Sequence, residues 1–199
     1  MAELGITKLE AINEMLAAVE ELPVSTLDTG GASIAAMAER HLDRETQRVQ
    51  MEGYADNTDI CRGIVANGSG QIVAESTWLA VQGAGPDAYR NLTLRAGNVW
   101  WLDNHTDTIT TSGGTVYLNI VRQLEWADMS PRLKNAVLAR SIRIFQRRQK
   151  GDPQADLMLA EESAMAAVVA DRPSPRKGYA DEPIQKFPLM RPPQQPVQQ

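Results

Sequence analysis

At 199 residues, with 43% hydrophobic and 23% charged side chains, the chain has the make-up of a globular protein long enough to bury a core. A formal charge of −5 argues against a general nucleic-acid binder, although it leaves room for local basic patches. Cys61 is the only cysteine, so no internal disulfide forms and assembly in a reducing compartment is expected. The opening MAELGITKLE lacks the basic-then-apolar pattern of a signal peptide, and no apolar run approaches the ~18 residues of a membrane span, so no membrane role is expected.

The first helix is announced by TKLE, a capping box with Thr7 at the N-cap and Glu10 three residues on. Leu9, Ile12, Leu16 and Val19 recur at helical spacing, Met15 and Leu22 widen the stripe, and Pro23 is expected to end it. A second helix is expected from about Ser33 to Glu52. Ile34, Ala38, Leu42 and Val49 share one side, and Glu39, Arg40, Asp43, Arg44 and Arg48 mostly face water; Gly53 closes the helix.

Between Tyr54 and Asp128 the texture changes. Short β-favouring runs (RGIVA, QIVAES, YRNLTL, NVWWL, DTITT and TVYLNIVRQL) alternate with the turn clusters NGSG, GAGPD, RAGN and TSGG. A third helix follows MSPRL, with Ser130 as N-cap and Pro131 at the first helical position, and runs to Gly151. GDP then starts a fourth, in which Leu157, Ala160, Ala164, Ala167 and Val168 form a small-residue face for close packing; Pro173 and Pro175 end it. The expected fold class is α+β: a helical bundle of about four helices with an inserted antiparallel β subdomain and an extended C-terminal tail. Residues 1–53 and 130–172 make the bundle, 54–129 the β-rich insertion, and 173–199 the Pro/Gln-rich tail.

Three features stand out as candidate docking elements. The third helix has two apolar sides, as suits a helix central to a bundle, and a remaining side carrying Arg132, Arg140, Arg143, Arg147 and Lys150. That stripe reads either as a solvated face relieved by acids such as Glu161 and Glu162, or as a surface aimed at DNA or at an acidic protein partner. The loop Pro23, Val24, Ser25, Thr26 and Leu27 reads either as a packed corner, its hydroxyls satisfying local backbone, or as a contact with a neighbouring subunit. In the tail, Phe187, Leu189 and Met190 are large apolar residues among prolines, where a solvated segment would avoid them. They read as anchors of a strap on another chain, or as a tail resting on its own subunit.

Catalytic chemistry finds little footing. His41 and His105 are the only histidines, and no serine sits in a nucleophile-elbow pattern. His41 and Glu45, four apart, lack a third metal ligand, and His41 is read as a helix-surface residue. LDNHTDT, with Asp103, His105 and Asp107, lacks calcium-loop spacing, and the glycine pairs in GAGP and TSGG precede no phosphate-binding lysine. No catalytic, metal or cofactor site is therefore expected. The rival reading is a peptidoglycan or polysaccharide hydrolase using two carboxylates among Glu75, Glu125 and Asp103, which composition alone nominates. A free DNA-binding regulator is disfavoured by the acidic balance and the absence of a helix-turn-helix pattern.

The stretch AINEMLAAVEELPVSTLD resembles the N-terminal signature of the tail tubular protein A family, head-to-tail adaptors of T7-type short-tailed phages. The likeness continues through GTVYLNIVRQLEWADMSPRLKNAVLARSIRIFQRR and GDPQADLMLAEESA, spanning about residues 9 to 170. The resemblance implies a structural virion protein, a helical bundle with a β insertion, assembled into a dodecameric ring. The implied ring lies between the portal protein and the nozzle, tail tubular protein B, with tail fibres nearby and double-stranded DNA passing through during ejection. It also implies assembly in the bacterial host cytoplasm.

Overall fold

A computed structural model describes residues 5–27, 33–102 and 114–171. The run DTITT, the residues Asp103, His105 and Asp107, and the tail with Phe187, Leu189 and Met190 lie outside the described residues. The order is α1 (Lys8–Ala17), α2 (Ile34–Gln50), β1 (Thr58–Val65), β2 (Trp78–Gly83), β3 (Leu92–Arg95), β4 (Asn98–Trp101), β5 (Thr115–Arg122), α3 (Pro131–Gln149) and α4 (Pro153–Ala170). The fold is α+β, four helices with antiparallel β structure placed between the second and third.

Local chemistry sets the helix starts. Thr7 accepts from the Glu10 amide, and the Glu10 carboxylate accepts from the Thr7 amide, completing the capping box. Ser33, Ser130 and Asp152 cap α2, α3 and α4 through their side-chain oxygens, and prolines occupy the first positions of α3 and α4. The end of α1 differs from expectation. The helix stops at Ala17, and Glu20 turns left-handed (φ 62°) while Glu21 N–H donates to Leu16 O at 3.0 Å. That 6→1 bond is a Schellman closure, so the chain has left the helix before Pro23 can act. Leu22, expected to widen the apolar stripe, is 85% exposed as a result. At the end of α2, Gly53 takes the left-handed position (φ 74°).

The sheet differs in one strand. β1, β5 and β2 form an antiparallel sheet in that order, and β3 pairs with β4 as a separate hairpin. QIVAES, expected to be a strand, contributes only bridge residues, Gln71 and Val73, the latter paired with Asn98, while WLAVQG supplies β2. Pairing decides this. Trp78–Gly83 finds a full ladder along the central strand β5, whose Val116, Leu118 and Ile120 point into the core. Gly83 must be glycine, because a Cβ there would lie 2.1 Å from Asp87 O.

Two apolar cores result. α1, α2 and α3 enclose Ile12, Met15, Leu16, Leu42, Leu133 and Val137, with Trp126 and Met129 closing one end. The sheet and hairpin enclose Ile72, Trp78, Val81, Val99, Leu118 and Ile120. Between them, two buried amides stitch backbone to backbone. Gln50, at the end of α2, donates to Leu124 O at 3.0 Å and accepts from Leu124 N–H at 2.6 Å. Asn57 donates to Gln50 O and Arg122 O, each at 2.9 Å, and accepts from Tyr54 N–H. Pairs of this kind satisfy chain ends where no regular ladder reaches.

Candidate functional site

α3 touches α1, α2 and α4 and holds its cations on the side left over. Three of the five are paired within the subunit, each with a different element. Arg140 bonds Glu52 just beyond α2, Arg143 Nε lies 2.9 Å from Asp156 Oδ1 on α4, and Lys150 Nζ lies 2.7 Å from Glu20 Oε2 beyond α1. The Arg143 guanidinium, hydrogen-bonded to Asp156, holds that carboxyl below the usual range. Arg132 and Arg147 are exposed and form no ion pair among the described residues. The acids on this face are thus Glu52, Asp156 and Glu20; Glu161 and Glu162 stay exposed on the outer side of α4.

The loop from Pro23 to Leu27 is held by a residue from α1. Asn13 Nδ2 donates to Val24 O at 3.1 Å and Asn13 Oδ1 accepts from Val24 N–H at 2.9 Å, a two-way clip that imitates a strand pair. Val24 and Leu27 pack on the helical core. Ser25 and Thr26, expected to satisfy loop backbone, are exposed and make no such bond among the described residues. Beside the loop a shallow groove of about 450 Å³ runs between Pro23–Leu27 and the start of α2, with Glu39 at its edge. Lys8 bridges Glu39 and Asp43 at 3.0 and 2.9 Å, tying α1 to α2 nearby.

Two features escape a reading of the sequence. The first is a buried polar cluster between α2 and α3. His41, expected on the surface, is buried beside Phe145, with its Nδ1 3.4 Å from Arg148 Nη1. Glu45, one turn on, is fully buried; its Oε1 accepts from Arg48 at 2.9 Å, and Arg140 Nε lies 3.4 Å from Oε2, close enough to pair but out of hydrogen-bond alignment. Burial lowers the His41 pKa, the arginines Arg148, Arg44 and Arg48 lower it further, and Glu45 opposes them. The imidazole is therefore neutral where an open one would begin to charge. Polar residues on the inner side of a helix carry no apolar period, so spacing does not reveal them.

The second is the direction of α4. Its packed side runs through Ala155, Leu159, Ala160, Ser163, Ala166, Ala167 and Ala170, rather than through Leu157, Ala164 and Val168 as expected. α4 carries apolar residues on every side, with Glu161 and Glu162 among the outer ones, and its small residues choose the inner side because they let the backbone approach α3. Leu157, Met158, Met165 and Val168 are left between 61 and 75% exposed.

The acids nominated for hydrolysis have other occupations. Glu75 bonds Arg122 at 2.7 Å, and that hydrogen bond lowers its pKa, the wrong direction for a general acid. Glu125 is exposed at the N-cap position of a 3-10 turn at Trp126–Asp128 and makes no side-chain cap bond, and Asp103 lies outside the described residues. No group of three His, Cys, Asp or Glu among the described residues is arranged to hold a metal, and no described helix is long and apolar enough to cross a membrane.

The arrangement is one of surfaces: a half-neutralised cationic stripe, a clipped loop beside a groove, and an uncovered apolar helix face. A family model described as tail tubular protein matches residues 9–178, through both cores and all four helices. No curated protein matches the chain.

Proposed function

The chain belongs to the tail tubular protein family and is a structural component of a phage tail, and from that premise we propose that it is the head-to-tail adaptor, a tail tubular protein A of the T7-like type. In this reading identical copies close into a dodecameric ring that joins the portal protein to the nozzle, tail tubular protein B, near the tail fibres. Double-stranded DNA passes through the ring during ejection, and the protein catalyses no reaction. The helical core and the β-rich insertion act as two packed units, 1–53 with 130–172 and 54–129, and the closing residues 173–199 act as a strap.

The observation that carries the reading is the reach of the family match, which spans both cores rather than one module. Physical support comes from what the subunit leaves open. Five large apolar residues stand exposed on α4, and Arg132 and Arg147 stand unpaired on α3 among the described residues. Unlike surfaces of this kind suit a heterologous contact, which closes a ring when repeated with rotation. Electron microscopy of the purified full-length protein, alone and mixed with portal protein, tests this. Closed rings that attach to the portal are expected. A monomer at micromolar concentration that ignores the portal would overturn the adaptor role.

A further inference from the structure

The outward face of α4 carries Leu157, Met165 and Val168 along one stripe, with Met158 and Val169 beside it. At about 100° per residue these five fall within roughly a third of the helix circumference. Glu161 stands among them and Glu162 at their edge, both exposed. A helix with apolar residues on every side is patterned to be covered on every side, yet α4 packs chiefly against α3.

We propose that this face is the seat for residues 172–199 of a second copy of the chain. The proposal rests on the ring reading above and names the surface and the segment that meet. Charge selects the occupant. Residues 172–199 contain Arg172, Arg176, Lys177, Lys186 and Arg191 against Asp181 and Glu182, while the seat presents Glu161 and Glu162. α4 laid on α4 of another copy would set those acids against their own kind. The segment also supplies Phe187, Leu189 and Met190 to fill an apolar stripe, and its prolines reduce the freedom lost on docking. Met158 and Met165 are unbranched and adapt to an irregular ligand. The sixteen residues from Arg172 to Phe187 span at most about 45 Å as polyproline II. The 18-residue helix they would run along is about 27 Å long.

Disulfide trapping between full-length chains tests this. One tagged preparation carries Met165→Cys and a differently tagged one Leu189→Cys, both with Cys61→Ser; a control replaces Met165→Cys by Gln47→Cys on the exposed side of α2. After mixing and mild oxidation, a disulfide joining the two tags should form about tenfold faster than in the control, because docking raises the local thiol concentration. Adding Leu157→Glu and Val168→Glu to the first chain should abolish the excess. A third preparation carries Met165→Cys and Leu189→Cys in one chain. Equal rates in test and control would overturn the proposal, as would a link that forms only within the chains of that third preparation. The same samples are imaged. Rings without the link defeat the seat and spare the adaptor reading; the link without rings does the reverse.

Discussion

At the scale of single residues, stability concentrates in a few buried polar groups. Gln50 uses both ends of its amide on Leu124, so truncating it strands the part-buried N–H and carbonyl of Leu124 at once. Each stranded group costs about 1–3 kcal/mol. Gln50→Ala should therefore lower the unfolding free energy by about 2–4 kcal/mol, read as a shift in the urea midpoint, whereas the same change at exposed Gln47 should cost under about 0.5 kcal/mol. His41 gives a pH-dependent counterpart. Its folded pKa lies below the ordinary 6.5 because burial, then the neighbouring arginines, oppose the charged form. As pH falls through 6.5 the unfolded chain takes up a proton that the folded chain refuses, so stability drops until the folded group also titrates. His41→Gln should flatten that part of the profile. Urea midpoints at pH 7.5 and about 5.5 should converge in the variant relative to the parent, and an unchanged gap would show that His41 titrates freely.

At the scale of elements, the hairpin turn between β3 and β4 shows a place where sequence and backbone disagree. Ala96 and Gly97 both have positive φ, 47° and 73°, the signature of a two-residue type I′ turn. Alanine pays a steric penalty there that asparagine largely escapes. Ala96→Asn should raise the melting temperature, corresponding to about 0.5–1 kcal/mol of added stability; a lower melting temperature would mean that the turn is not of this type. The same contrast explains what the sequence made legible. Helix starts at Thr7, Ser33, Ser130 and Asp152 were readable because a cap and its amide lie within three residues of each other. β2 was not, since QIVAES and WLAVQG are similar locally and only pairing with β5 separates them. The α3 stripe was readable from its spacing of three and four, but its partners Glu52, Asp156 and Glu20 come from three distant stretches. The inward turn of α4 was hidden because a helix with apolar residues on every side has no period to read.

At the scale of the whole molecule, the cationic stripe decides between two kinds of partner. Five cations at helical spacing suggest a polyanion track, but Glu52, Asp156 and Glu20 already neutralise three of them. Arg132 and Arg147 remain for an external partner. For a single subunit, two phosphate contacts would give a salt slope of only about −2 for DNA, far short of what holds a duplex at physiological ionic strength. Two arginines suffice, however, to orient a protein surface bearing carboxylates, where bidentate pairing and partial desolvation strengthen each contact. We therefore expect Arg132→Glu with Arg147→Glu to leave the melting temperature within a few degrees of the parent, since neither residue itself forms an ion pair among the described residues and Arg147 adds only a minor attraction to Asp156. Portal attachment should fall by about tenfold or more, equivalent to at least about 1.4 kcal/mol. Binding of the unassembled subunit to free duplex DNA should stay weak in both proteins, with the salt slope changed by no more than about two. Co-sedimentation with portal and a salt titration on labelled DNA measure the two arms. Intact portal attachment together with a lost DNA slope would reverse the assignment and turn the stripe toward the channel.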